Sequence, residues 1–224
     1  MPAERFYIDA DLSNAVALEG PEFHHLAHVM RIRVGEEIEL VNGRGSLAKA
    51  KVLSITKHEA TLQILSSSDS PIPSPRITLA IPLMRPAKLE LIIEKCTELG
   101  ADAFLLYPAQ HSEKDDLSSN QQDRLSHIAI SAMKQCGRLD LPPIKILSRF
   151  EEIFTIPGIY LFGDTRPAAK LVPTEEPVIF ITGPEKGFSE KELKELDQKA
   201  TGVRLHKNVL RAETAPIAAT CFLA

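Results

Sequence analysis

Two short stretches near the end of the chain carry the residues best suited to chemistry. The first, IFITGPEKGFSEKEL, follows an apolar run. Gly183 and Gly187 let the main chain approach a ligand closely or take positive φ, and Pro184 stiffens the loop. Glu185 sets a carboxylate beside a helix N-terminus, where negative charge is favoured. The second stretch, VLRAETAPIAA, offers Arg211, Glu213 and Thr214 just ahead of APIAATCFLA, a segment apolar enough to demand burial. Charges beside a core need partners or a ligand. Neither stretch is a P-loop, which ends in Gly-Lys-Ser/Thr, nor a GxGxxG turn. A strand-to-helix turn with a good cap, and a solvated Arg/Glu pair, account for the same residues without a ligand.

Other candidates are less specific. His24, His25 and His28 cluster, and residues four apart share a helix face. A catalytic zinc normally takes three protein ligands, and no third partner is evident, so no metal is expected. Basic residues gather locally: Arg31, Arg33, Arg44, Lys49 and Lys51 early, then Arg85, Lys88 and Lys95, then Lys134 and Arg138. Taken singly, each reads as solvated surface.

The elements that position these residues fall into two groups. SSSDSPIPSPR, Ser66 to Arg76, reads as an extended linker, because alternating Pro71, Pro73 and Pro75 fix their own φ and push their predecessors out of the helical region. Before it, Glu36 to Ile55 alternates around Asn42-Gly43-Arg44-Gly45, predicting a hairpin. Ala60 to Leu65 predicts another strand and Pro21 to Met30 a short helix, together a small barrel. After it, ITLAI, AFLLY, IYLF and VIFIT read as strands. Helices are predicted over Ala87 to Leu99, stopped by Gly100, over Gln121 to Cys136, and over Ser189 to Ala200, where Ser189 and Glu192 form a capping box. Alternating apolar strands and helices predict an α/β layer with a parallel sheet, whose ligands bind at the carboxyl ends of strands.

The 224 residues suit one large domain or two small ones, and 44% hydrophobic with 25% charged content is ordinary for a globular chain. No apolar run approaches ~18 residues, so no membrane-crossing helix is expected. MPAERFYIDADLSN has no apolar core of a signal peptide. Cys96, Cys136 and Cys221 are scattered and never form CxxC, which fits a reducing cytoplasm. A net charge of −4 gives general nucleic-acid binding no support, yet docking to a folded RNA needs only local basic patches.

The chain resembles the RsmE family of small-subunit ribosomal RNA methyltransferases, of the SPOUT class. HHLAHVMRIRVGEEIEL is similar to the family's His-x-x-x-Val-Leu-Arg segment, and KLELIIEKCTELGA to its Lys-Ala-Thr-Glu-Leu-Gly helix. QCGRLDLPPI resembles its Gln-Ser-x-Arg…Pro-x-Ile stretch. ITGPEKGFS resembles Gly-Pro-Glu-Gly-Gly-Phe-Ser, and VLRAETA resembles Ile-Leu-Arg-Ala-Glu-Thr-Ala; these two, in this order and spacing, are the specific ones. Lys186 departs from the second glycine of the loop, and His206 and Asn208 stand where the pattern has Gly and Arg.

The resemblance implies an N-terminal PUA-like RNA-binding β-barrel over residues 1–70 and a SPOUT α/β domain with a trefoil knot over 75–224. It implies S-adenosylmethionine as cofactor, held by Thr182, Gly183, Pro184, Glu185, Gly187, Leu205, Val209, Leu210, Arg211, Thr214 and Ala215. The implied reaction is methylation of N3 of a uridine in 16S ribosomal RNA, with the 30S subunit as partner and a homodimer as the assembly. Arg211 or Arg138 is the expected cation for the uridine anion, and Glu213 a candidate proton acceptor. His25, Arg31, Arg33, Arg85 and Lys88 are expected to face RNA. Methylation of another base or a ribose 2′-hydroxyl, and a non-catalytic RNA-binding relative, fit the same motifs.

Overall fold

The structure is a computed structural model that describes residues 4–72 and 76–224. The chain divides into two compact units, Met1–Pro73 with Ile130–Leu141, and Ser74–Ala129 with Pro142–Ala224.

In the first unit, β1 (Arg5–Tyr7), β2 (Ala15–Glu19), β3 (Glu37–Val41), β4 (Ser46–Ile55) and β5 (Glu59–Asp69) make a curled sheet in the order β1-β3-β4-β5-β2. Alternation turns Leu40, Ala48, Ala50, Val52 and Leu62 inward against Phe6, Leu18 and Leu26. The predicted hairpin joins β3 to β4. Asn42 Oδ1 accepts from the Arg44 and Ser46 amides at 2.9 and 3.1 Å, and Gly43 and Gly45 take φ of +69° and +90°. A Cβ at Gly45 would also lie 2.3 Å from the Ser70 carbonyl oxygen, so glycine is required there.

Two expectations in this unit are corrected. The strand predicted over Ala60 to Leu65 runs on to Asp69, because Ser46–Lys49 of β4 offer main-chain partners to Ser66–Asp69 across a bulge. The serine-rich opening of the expected linker is therefore strand; Pro73 and Pro75 lie outside the described residues. The helix predicted from Pro21 to Met30 is α-helical only as α1 (Gly20–His24). His25–Val29 then widen into a turn whose closing bond runs from the Met30 amide to the His25 carbonyl, 2.9 Å and five residues back.

The second unit contains β6 (Ile77–Pro82), α2 (Pro86–Glu98), β7 (Ala103–Tyr107), the start of α3 (Ser119–Cys136), β8 (Ile144–Ile146), β9 (Ile159–Gly163), β10 (Ala169–Lys170), β11 (Val178–Ile181), α4 (Glu190–Lys199), β12 (Thr201–Arg204) and α5 (Thr214–Leu223). Its strands form one sheet, β10-β12-β9-β11-β6-β7-β8, parallel at every pairing. β6 and β11 at its centre are buried along their whole length, as continuous apolar runs in parallel sheets should be. Gly100, at φ +99°, ends the α2 segment, and Ser189 with Glu192 forms the predicted capping box of α4.

α5 packs against α2 and β6. Its composition predicts a helix buried all round, but only Pro216, Ala219, Thr220 and Leu223 are buried, while Cys221 and Phe222 are exposed. A helix lying on one layer hides one stripe, whatever the composition of the rest.

α3 is divided between the units. Its final turns, with Gly137–Leu141, belong to the first, where Lys134 Nζ meets Glu22 Oε1 at 2.6 Å. There the Gly45 amide donates to the Leu139 carbonyl and the Leu141 amide to the Gly43 carbonyl, each at 2.9 Å.

Candidate active site

A cleft of about 750 Å³ opens at the carboxyl ends of β12, β9 and β11, three neighbouring strands of the parallel sheet. Side-by-side parallel strands release their following loops at the same edge, so loops far apart in sequence wall one space. The end of β9 and the loop after it supply Phe162 to Arg166, the loop after β11 Gly183 to Phe188, and that after β12 Leu205 to Glu213.

The β11 loop is built in from below. The buried Tyr107 hydroxyl donates to the Thr182 carbonyl at 2.6 Å, and the Thr182 amide donates to the Ala80 carbonyl at 3.0 Å. Burial pushes the Tyr107 phenol well above its ordinary range, so it stays a donor. At Gly183 a Cβ would come within 3.1 Å of the Phe188 ring, which closes the loop over itself. Gly187 takes φ of +78°, and its carbonyl lies 3.1 Å from His111 Nδ1. Buried Glu192 accepts from the Ser189 amide at 2.7 Å, from the Ser189 hydroxyl at 2.9 Å and from the Gln110 amide at 2.8 Å. Lys88 pairs with Glu185, and Arg85 meets Glu113 at 3.1 Å.

The β9 loop is tied as firmly. Arg166 Nε lies 3.0 Å from both Asp164 carboxylate oxygens, and Arg166 Nη1 lies 3.0 Å from Asp197 Oδ2 on α4. The guanidinium holds the Asp197 carboxyl below its ordinary range, and the two carboxylates raise Arg166 further. Gly202 leaves room for this, since a Cβ there would stand 2.5 Å from Asp164 Oδ2. The β12 loop has little of the kind: the Asn208 amide donates to His206 Nδ1 at 3.1 Å, and Arg211 Nη1 reaches Glu213 Oε1 only at 4.0 Å.

Of the residues singled out in the sequence, Gly183, Pro184, Glu185, Gly187, Leu205, Val209, Leu210, Arg211, Glu213, Ala215 and Lys88 line the cleft. Thr182 is buried beneath it, and Thr214, the exposed first residue of α5, is outside the lining. Arg138 belongs to the first unit, where its guanidinium meets Asp140. His25 lies 3.2 Å from Glu4 in the same unit, and Arg31 and Arg33 are exposed there. Arg31, at φ +56°, is the one non-glycine with positive φ among the described residues. The His24 and His28 rings lie 5.0 Å apart, tilted at 50° to each other, and among the described residues no group of three or more His, Cys, Asp or Glu is placed to hold a metal ion. Burial pushes the Cys96 thiol up to about 12, so it stays protonated. Sequence reasoning missed the β9 loop, although IYLF followed by Gly163-Asp164 has the strand-then-glycine form of the β11 loop.

Known proteins resemble this chain in sequence and fold. The family described as RNA methyltransferase domain matches residues 71–224, more than half the chain. The chain belongs to the RNA methyltransferase family. A second family, RNA methyltransferase PUA domain, matches residues 18–65 of this RNA methyltransferase. It is 28% identical to ribosomal RNA small subunit methyltransferase E of Bacillus subtilis, covering 90% of this chain and 86% of that one. It is 30% identical to the protein of the same name from Synechocystis, covering 91% of this chain and 71% of that one. Among solved structures, ribosomal RNA small subunit methyltransferase E from Neisseria gonorrhoeae, crystallised bound to S-adenosyl methionine, superposes with a TM-score of 0.88 at 29% identity, over 98% and 96% of the two chains.

Proposed function

We propose that this RNA methyltransferase transfers a methyl group from S-adenosylmethionine to N3 of a uridine in 16S ribosomal RNA. The observation that carries the reading is the three-loop cleft, in which both family motifs meet.

The cleft fits the cofactor on its own chemistry. Its size lies within the roughly 300–1,000 Å³ of small-molecule sites. Phe162, Leu205, Leu210 and Ala215 offer apolar walls for an aromatic base, while Glu213, only loosely paired with Arg211, offers a carboxylate to a cation. Gly183 and Gly187 would bring main-chain groups to the ligand, with Pro184, Val209 and Arg211 around it. When bound, S-adenosylmethionine supplies a methyl group already activated on a sulfonium. The protein's share is orientation and charge: an in-line transfer depends on holding the attacking nitrogen aligned.

N3 of uridine carries a proton at neutral pH, so the site must take that proton and hold the resulting anion. Arg211, 86% exposed by side chain at the mouth, is the cation that meets the base, and Glu213 accepts the proton. Arg211 is favoured over Arg138 because it lines the cleft and is only loosely paired, whereas Arg138 is engaged by Asp140. The target base must leave its stack to enter. Residues 1–70, with His25, Arg31 and Arg33, dock the RNA, and residues 75–224 carry the transfer. The last segment is threaded as the SPOUT knot; the return of the chain after β12 to set α5 against α2 and β6 supports this. Exposed Leu91 on α2 and Phe222 on α5 support a homodimer through these touching helices. The proposed setting is the cytoplasm and the 30S subunit; no helix among the described residues is long and apolar enough to cross a membrane.

The test is methyl transfer to small ribosomal subunits that lack the modification, followed by digestion and identification of the nucleoside. 3-Methyluridine is expected; any other methylated nucleoside overturns the specificity. Arg211→Ala is expected to lower turnover at saturating cofactor at least ~100-fold, in the usual range for a lost charge-stabilising donor.

A further inference from the structure

The cations around the cleft are of two kinds. Lys88 is neutralised by Glu185, and Arg166 by Asp164 and Asp197. Lys186, Arg204 and Lys207 line the same cleft, are exposed, and have no ion-pair partner among the described residues. Arg204 also stands in register with exposed Lys170 on the neighbouring parallel strand β10. Residues in register on adjacent strands share a face, and like charges so placed repel. The lining carries six Lys and Arg side chains against three carboxylates, in a chain whose net charge is −4. A surface that concentrates unpaired cations, and tolerates a like-charge pair, is suited to an anion with several charges along its length.

We propose that Lys170, Lys186, Arg204 and Lys207 form a strip that grips the phosphodiester backbone of the substrate RNA beside the reacting nucleotide. The proposal rests on the RNA methyltransferase reading and adds to it the groups that hold phosphate at the mouth. A single small-molecule carboxylate needs one counter-charge; four cations spread over a sheet edge and two loops match a polymer with a charge at every residue. The strip also gives Lys186 a role: it stands where the resembling loop pattern has glycine, and it is exposed at the cleft, where it can meet phosphate.

The experiment measures binding of a 16S ribosomal RNA transcript as a function of salt, for the wild type and for Lys170→Gln/Lys207→Gln, with cofactor affinity measured calorimetrically in parallel. Each lysine–phosphate pair removed should lower the slope of log Kobs against log[salt] by about 0.7–0.9, so the double variant should lose about 1.5. Adding Lys186→Gln should remove a further step of the same size. Cofactor affinity should stay within about twofold for Lys170→Gln measured alone, because Lys170 lies outside the cleft lining. An unchanged slope with RNA still bound would overturn the strip and leave the function standing. Parallel loss of cofactor affinity would overturn it too, by assigning these lysines to the cofactor. Tighter binding of an acidic polypeptide than of RNA would overturn the choice of occupant. A wild type that binds no RNA would overturn the underlying function.

Discussion

Two walls of one cleft are made in opposite ways. The β11 loop is held by Tyr107 and His111, at and just after the end of β7, by Lys88 on α2 and by Glu192 on α4. The β12 loop, from Leu205 to Arg211, makes few bonds and exposes Val209 at 79%. A pre-built wall lowers the cost of ordering when a ligand binds, and a loosely held one leaves room for a second, larger substrate to be accommodated. The difference separates the part of the site that fixes geometry from the part that adapts.

That contrast can be broken from its strong side first. Glu192→Ala removes a buried carboxylate with three donors and leaves the Gln110 and Ser189 amides unpartnered, at about 1–3 kcal/mol each. Denaturant unfolding should show a loss of about 3 kcal/mol, whereas Glu190→Ala, on an exposed position of the same helix, should stay within about 0.5 kcal/mol. If both behave alike, the β11 wall is not held as described. Tyr107→Phe keeps the ring and leaves the Thr182 carbonyl without its donor. It should cost about 1–2 kcal/mol and weaken cofactor binding in the same direction, by calorimetry.

A smaller effect tests the β9 wall. Asp197 is held below its ordinary value near 3.8 by Arg166, so its contribution is present above that pH and is lost as pH falls through the depressed value. In Asp197→Asn, the acid-side decline of melting temperature should be shallower below about pH 4, while at roughly pH 7 to 9 melting should be lowered by a small amount that does not vary with pH. The smallest stability effect belongs to the open wall. Val209→Ser should leave melting within error, because the side chain is exposed, yet should alter KM for RNA or cofactor more than Tyr107→Phe alters kcat. Equal effects on stability from Tyr107→Phe and Val209→Ser would erase the contrast.

The elements were legible where local pattern decides. β6 and β11 are continuous apolar runs, Asn42-Gly43 fixes a hairpin, and Ser189 with Glu192 marks a helix start. What local pattern cannot carry is partnership over distance. Tyr107 and Thr182 are 75 residues apart and Gln110 and Glu192 are 82 apart, so nothing near either residue announces the bond. The β9 loop was overlooked for the same reason: Asp164 becomes a wall only once β9 lies between β11 and β12. Ser66–Asp69 went wrong in the other direction. Serines before prolines read as linker, but an extended chain beside the free edge of β4 gains main-chain bonds regardless of side chain. Residues of the candidate site were found chiefly through family resemblance, since GPEKG alone is also a plain turn.

The division of α3 has a consequence for taking the molecule apart. The chain enters the first unit twice, and the second visit, Ile130–Leu141, supplies main-chain partners to the turn that joins β3 and β4. A single cut within the Ser-Pro stretch therefore yields no clean halves. The N-terminal fragment would lose the acceptor of the Gly45 amide and the partner of Glu22, and the remainder would carry a helix end built for a surface it no longer has. Isolated fragments should misbehave separately and recover together, and the two pieces mixed in trans should find each other through that helix end.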